Sequence, residues 1–495
     1  MKFTAFISSL FIAGAMASSC HPDYPCCNDC EVYYQDNEGD WGILNKNWCF
    51  IDDTLCKKDS NNENCKFEAL GYKCCSKCDV IYTDDDGDWG VENNKWCGIP
   101  ESCYDKDNKP QENTSTEEQS VETDTINSFK PNKDNVKIFG RANYYEDGEY
   151  LWFGITAAGI EFKFTGKTVT IEVTADSSSS SNDNPARYAL YADNKLYDDS
   201  VISKEKSELT VEFDKSAEHI VRFIKLSESS NGTLRITGIK ANTNKIVPTE
   251  AGKKKIEFIG DSITCGYGVD GTEGAFSTKT EDGSKTYAYK VAQKFNADFS
   301  LFAFSGFGII SGYTTDGKRN TVSTLPQYYD KLGFSWYTQF GSDNTQINDV
   351  KWDFNEFVPD LIIINLGTND GSYLNSVSGE ANKQSEREAF AAEYEVFIGT
   401  VRSAYPEADI LCTLGIMGQD LYPEIEEAVK NYKEKTGDKK VNAFEFNQQD
   451  INKNGKGIDW HPAPQSHVDA AYELIEEIEN LYGWTSDPQV NIEVK

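Results

Sequence analysis

Apolar and polar positions change period along the chain. Beyond residue 250, short unbroken apolar runs at 256–259, 299–304, 361–366, 410–414 and 441–446 predict buried strands. Between and after them, 287–295, 385–404, 422–435 and 466–481 repeat apolar residues at three- and four-residue intervals, the spacing of amphipathic helices. This alternation predicts an α/β/α domain over 252–485 with a largely parallel sheet, in which ligands sit at the carboxyl ends of the strands. Residues 136–245 instead alternate with period two, as in Ile160-Glu161-Phe162-Lys163-Phe164 and Val169-Thr170-Ile171-Glu172-Val173. Seven or eight short strands without helical spacing predict a β-sandwich of jelly-roll type. The stretch 104–135 is polar and acidic, includes Lys109-Pro110-Gln111-Glu112-Asn113, and reads as an extended linker.

Ahead of the linker the chain is organised by cysteine. Twelve of its 14 cysteines fall between Cys20 and Cys103. Cys26-Cys27-x2-Cys30 returns 48 residues later as Cys74-Cys75-x2-Cys78, and Asp40-Trp41-Gly42 returns as Asp88-Trp89-Gly90. Two modules, 20–56 and 65–103, are too small to fold on apolar burial alone and predict disulfide scaffolds whose pairing stays open. Adjacent cysteines are poor zinc-ligand spacing. At the start, Lys2, the apolar run 3–14 and Ala15-Met16-Ala17 predict a secretory signal over 1–17 and hence a secreted, extracellular protein. The sequons Asn113-Thr114-Ser115 and Asn231-Gly232-Thr233 suit that route.

Charge removes whole classes of partner. With 48 Lys and Arg against 81 Asp and Glu, the net charge is −33. Phosphate backbones and anionic lipid repel such a chain, so neither nucleic acid nor a membrane surface is expected as a partner. The same composition holds only 4 His, which shortens the list of candidate bases.

The predicted strand ends carry the candidate chemistry. Past the first comes Gly260-Asp261-Ser262-Ile263-Thr264, past the second Ser305-Gly306-Phe307-Gly308, and past the third Gly367-Thr368-Asn369-Asp370; Asp459-Trp460-His461-Pro462 precedes the last helix. Acyl transfer by a serine needs a base for its proton and donors for the developing oxyanion. Ser262 is the candidate nucleophile and His461 its base. His21 and His219 lie in other domains, the latter in a strand pattern, and His467 falls within a helix. Asp459 is the candidate orienter of the imidazole. The amides of Ser262 and Gly306 and the side chain of Asn369 are candidate oxyanion donors. Trp336, Tyr373 and Trp460 are candidates for stacking on a sugar ring. Cys265 and Cys412 read as buried free thiols. The nucleophile elbow Gly-x-Ser-x-Gly is absent, as are zinc-protease and P-loop motifs. No metal or cofactor is expected.

Two resemblances follow from these residues. Ser262, Gly306, Asn369 and His461 resemble the four signature residues of the SGNH hydrolases. Together with the preceding β-sandwich, the run Gly-Asp-Ser-Ile-Thr-x-Gly-Tyr-Gly over 260–268 resembles carbohydrate esterase family 2. That resemblance implies a metal-independent esterase removing acetyl groups from xylan and related plant polysaccharides. The wider superfamily places Asp three residues before His. Here Asp459 is two before, and Ile458 occupies the third position. A carboxylate triad and a Ser–His dyad steadied by a backbone carbonyl therefore both stay open. The repeated Cys-Cys-x2-Cys, Gly-Asp-Trp-Gly and Asn-x-x-Trp-Cys of the front modules resemble the dockerins of anaerobic gut fungi, also classified with carbohydrate-binding module family 10. They imply docking to a cohesin-like scaffold in an extracellular, cellulosome-like complex, with Tyr34, Trp41, Tyr82 and Trp89 as candidate contacts; each Trp reads equally as the only core of its module, covering the disulfides. The competing readings are an SGNH esterase for pectin, feruloyl or lipid esters, and a non-catalytic carbohydrate-binding or scaffold-assembly protein.

Overall fold

The structure is a computed structural model that describes residues 120–494 except 146–148 and 338, and before them parts of the stretch 27–103. The signal expected over 1–17, the sequon at Asn113 and the first part of the expected linker lie outside the described residues. Residues 1–117 and 118–495 form separate units, taken in turn.

In the first unit each module contains a small antiparallel meander, to which the later module adds Lys73–Cys74 in parallel beside Lys95–Gly98. Strands Tyr34–Asp36, Gly39–Leu44 and Asn47–Phe50 pair in order, and Tyr82–Asp84, Gly87–Glu92 and Lys95–Gly98 repeat them 48 residues on. Disulfides Cys27–Cys49 and Cys75–Cys97 occupy equivalent places, and Cys78–Cys103 is a further bridge of the later module among the described residues. The glycine opening each Gly-Asp-Trp-Gly is forced by packing. Gly39 and Gly87 have φ of +140° and +133°, and a Cβ there would lie 2.6 and 2.9 Å from the rings of Phe50 and Phe67. Those rings cover Trp41 and Trp89, with centroids 5.2 and 4.6 Å apart. Of the two readings of Trp41 and Trp89, this burial selects core and removes them as scaffold contacts. Each is over nine-tenths buried, because a module with so little interior uses its one central indole as core. Tyr34 and Tyr82 stay exposed and lie edge-on to Trp48 and Trp96, an aromatic pair repeated in both modules.

The second unit begins with a ten-stranded antiparallel sheet system built on two long strands, Gly159–Ala175 and Lys206–Lys225. Ile160, Phe162 and Phe164 point inward, and so do Val169, Ile171 and Val173. The phase slips by one residue at the bulge between Gly166 and Thr168, which keeps both halves apolar on the core side. What the sequence punctuates as separate short strands is therefore one continuous strand bent at a bulge. A second difference concerns the expected linker. Glu122–Phe129 is a strand paired with Leu234–Thr243. It is mostly exposed, so its polar composition reads as linker although its Thr, Ile and Phe residues suit a strand.

The chain then enters a five-stranded, wholly parallel sheet. Its spatial order is Ala297–Ala303, Lys254–Gly260, Leu361–Asn365, Asp409–Leu414, Val441–Glu445. Helices Tyr287–Lys294, Glu380–Ala404, Tyr422–Thr436 and Pro464–Tyr482 connect and cover the strands. The connection order reverses at Lys254–Gly260, and a crevice opens where paths leave in opposite directions. The antiparallel sheets and the parallel sheet share one apolar core, running from Phe162 and Phe223 to Ile259 and Ile364. A buried ion pair crosses between them: the Arg141 guanidinium donates to Glu257 at 3.0 and 3.2 Å and to the Tyr329 and Lys331 carbonyls.

Candidate active site

Strand register assembles the site. Gly260 lies opposite Ala303 on one side and Asn365 on the other, so the residues just past each strand emerge side by side. They are Ser262, Gly306 and Asn369. Ser262 opens a single-turn helix, Ser262–Cys265, capped by the Asp261 carboxyl accepting the Ile263 amide at 3.0 Å and ended by Gly266 in the left-handed region. Further along the same run, Gly268 has φ +67°, and a Cβ there would meet Ile458 at 2.6 Å. This close approach, with the Ile458 amide on the Gly268 carbonyl at 3.1 Å, brings the histidine loop beside the serine turn.

The structure brings Ser262 and His461 together, with Nε2 2.8 Å from Oγ. The far nitrogen, Nδ1, lies 3.1 Å from the Ile458 carbonyl oxygen. A carbonyl only accepts, so Nδ1 carries the proton and Nε2 presents its lone pair to the hydroxyl. Burial pulls the imidazole below its usual pKa, against the Ile458 carbonyl and the nearby Asp459 charge, so it is neutral at pH 7. His467 is buried within its helix, accepts the Tyr287 amide at Nδ1 and is pushed down to about 3, leaving it uncharged and occupied.

Asp459 requires a correction. Its backbone sits at φ 49°, and Trp460 follows at 66°; these paired left-handed residues turn the Ile458 carbonyl, not the Asp459 carboxylate, toward Nδ1. The carboxylate accepts the Tyr267 hydroxyl at 2.9 Å instead. Tyr267, to which the sequence reading assigned no part, stacks on Phe276 with centroids 4.1 Å apart and covers one face of His461 at 4.3 Å. Its signal was its place in the run 260–268 that also holds Ser262.

The candidate oxyanion donors sit on a buried framework. Among the described residues no acceptor is hydrogen-bonded to the amides of Ser262 and Gly306. Asn369 is buried, its Nδ2 donating to the Phe307 carbonyl at 2.8 Å and, at a long 3.4 Å, to Asp261. Asp370 was not singled out from the sequence, yet its carboxyl accepts the amides of Ile309, Ile310 and Ser311. Burial raises it to about 6 even so, and raises Asp261 to about 7. Of the stacking candidates, Trp336 and Trp460 are more than half exposed, the latter under the Lys456 ammonium. Tyr373 is corrected: it lies one helical turn after Asn369 on the inward face of Thr368–Ser376 and packs into the core. His219 stacks on Phe213 and pairs with Asp193, away from the site. Cys265 and Cys412 are free and buried.

The chain resembles known proteins region by region. Residues 256–474 match the family described as GDSL-like lipase/acylhydrolase, 138–264 the carbohydrate esterase 2 N-terminal family, and 19–51 and 64–99 the family of cellulose or protein binding domains. The chain is 35% identical over 275 residues to the cellulase/esterase CelE of Acetivibrio thermocellus, a match covering 54% of this chain and 30% of that protein. It is 25% identical over 375 residues to an acetylxylan esterase / glucomannan deacetylase of Cellvibrio japonicus, covering 75% and 94%. Among solved structures, a family two carbohydrate esterase from Clostridium thermocellum in complex with cellohexaose superposes with a TM-score of 0.59 at 27% identity, covering 70% of this chain and 99% of that one.

Proposed function

We propose that the chain, whose two larger domains match the carbohydrate esterase 2 N-terminal and GDSL-like lipase/acylhydrolase families, hydrolyses acetyl esters on xylan or a related hemicellulose through an acyl-serine intermediate. The observation that carries this reading is the 2.8 Å contact between Ser262 Oγ and a His461 Nε2 left unprotonated by the Ile458 carbonyl. In the first half-reaction Nε2 takes the hydroxyl proton as Oγ attacks the acetyl carbonyl. The oxyanion is received by the Ser262 and Gly306 amides and the Asn369 side chain, which releases its long contact to Asp261. The imidazolium then gives its proton to the departing sugar oxygen. Water, activated by the same nitrogen, repeats the sequence on the acyl-enzyme and frees acetate. Trp336 and Trp460, both more than half exposed, are the proposed stacking surfaces for the polymer.

Acetate release from acetylated xylan by the wild type and by Ser262→Ala tests the proposal. Equal release by both, or no action of the wild type on any acyl ester, refutes it. Activity confined to feruloyl or pectin esters favours the competing esterase reading instead.

The chain is further proposed to be secreted and to dock through its two modules. No helix among the described residues is long and apolar enough to cross a membrane. In each module the exposed pair, Tyr34 with Trp48 and Tyr82 with Trp96, offers the rigid aromatic surface that anchors protein or polysaccharide. Removal of residues 20–103 is expected to leave esterase activity and abolish association with a wall-degrading complex; retained association counts against docking by these modules.

A further inference from the structure

The buried junction between the antiparallel sheets and the parallel sheet contains more charge than packing requires. Glu228 follows the long strand Lys206–Lys225 and is 1% exposed. Its backbone amide donates to Glu281 at 3.0 Å, and its carbonyl accepts the buried Lys225 ammonium at 2.8 Å. The acid groups of Glu228 and Glu281 and the Cys265 sulfur all lie within 4.8 Å of one another. Burial, reinforced by the neighbouring Glu228, pushes Glu281 well above the usual carboxyl range, while burial pulls Lys225 down to about 8. The cluster touches two parts of the site. Cys265 closes the helical turn that Ser262 opens, and Glu228 Oε2 accepts the Ser305 amide at 2.8 Å.

Ser305 immediately precedes Gly306, whose φ of +80° leaves its own position open, with only the Tyr313 Cβ at 3.9 Å from where a side chain would begin. Packing alone does not hold that peptide. The loop is secured on its far side by the Asp370 carboxyl on the amides of Ile309, Ile310 and Ser311. On its near side it is secured by Glu228 on the Ser305 amide, while the Gly306 carbonyl accepts the Tyr313 amide at 2.8 Å.

We propose that Glu228, a residue of the β domain, is a positioning residue of the esterase site: by fixing the Ser305 amide it sets the direction of the Gly306 amide toward the oxyanion. The proposal rests on the serine-esterase reading and makes the antiparallel sheets part of the catalytic apparatus. A misdirected donor weakens the tetrahedral state and leaves ground-state binding alone. Glu228→Ala is therefore expected to lower kcat on an acetyl ester at least tenfold with KM within threefold of wild type. Affinity for a small boronic acid, which bonds the serine oxygen as a tetrahedral anion, is expected to fall in parallel. Glu228→Gln keeps an acceptor for Ser305 and a polar contact to Glu281, and is expected to recover most of both losses. Glu228→Asp keeps the acid but withdraws the acceptor by one methylene, and is expected to lose them; this pair decides the matter if the alanine variant does not fold.

Loss of rate with a matching rise in KM, equal losses in the Gln and Asp variants, or unchanged boronate affinity in a folded Asp variant overturns the proposal. Boronate capture is measured in the full chain against Ser262→Ala and needs no substrate. A wild type that binds boronate but cleaves no ester would therefore refute the functional reading while still testing Glu228.

Discussion

Asp459→Asn separates the two ways of holding the imidazole. Asparagine retains an acceptor for the Tyr267 hydroxyl and tolerates the left-handed backbone at φ 49°, so the variant removes little but the charge. If the carboxylate oriented His461, as in a Ser-His-Asp triad, the amide would stabilise the wrong tautomer and cost about 10⁴ in kcat, or roughly 5.5 kcal/mol of barrier. In this structure Nδ1 faces the Ile458 carbonyl at 3.1 Å, which the substitution leaves in place. The expected loss is then below about tenfold, roughly 1.4 kcal/mol. The pH profile supplies a second readout. Burial lowers the His461 pKa and the Asp459 charge partly opposes it. A base works only when neutral, so activity falls as pH drops through that pKa. Removing the charge lowers it further and moves the acid limb of kcat/KM to lower pH. The assay is steady-state hydrolysis of 4-nitrophenyl acetate between pH 4 and 8. A loss of 10³ or more in a folded variant, or an acid limb moving upward, refutes the carbonyl-held dyad.

Three further outcomes are expected. Asn369→Ala should lower kcat by about 10² to 10³ with little change in KM, the cost of one oxyanion donor, measured on the same ester. Arg141→Met leaves Glu257 buried without its cation and should destabilise the fold by about 3–5 kcal/mol, seen in thermal or urea unfolding, whereas Arg141→Met with Glu257→Gln should restore much of it. Dithiothreitol should unfold the modules held by Cys27–Cys49, Cys75–Cys97 and Cys78–Cys103 and leave esterase activity intact, since Cys265 and Cys412 of the catalytic unit are unbridged.

What was legible in the sequence follows from where each position is decided. A parallel strand is buried on both faces, so 256–259 and 361–366 stand out as unbroken apolar runs, and register alone then aligns Ser262, Gly306 and Asn369. Glu122–Phe129 was missed because an exposed edge strand buries too little to leave an apolar signature. Tyr373 reads from its residue type alone as either a stacking ring or packing; helical spacing from Asn369 turns it inward and decides for packing. Trp41 looked like a contact because conspicuous rings read alike whether they form a core or a surface; only the pleat, with Phe50 opposite, separates them. Asp459 depended on the sign of one backbone angle, which spacing along the chain does not carry. Glu228 lies 77 residues from its partner Ser305, in another domain, and no period links them. The division has a physical basis. The groups proposed to meet the substrate sit at the ends of registered strands, where burial pattern reports position. Groups that aim them lie on loops, where a single dihedral or a long-range hydrogen bond decides the direction. Substitutions in that second set should therefore alter rate through geometry while the fold persists, which is the behaviour expected of both Asp459 and Glu228.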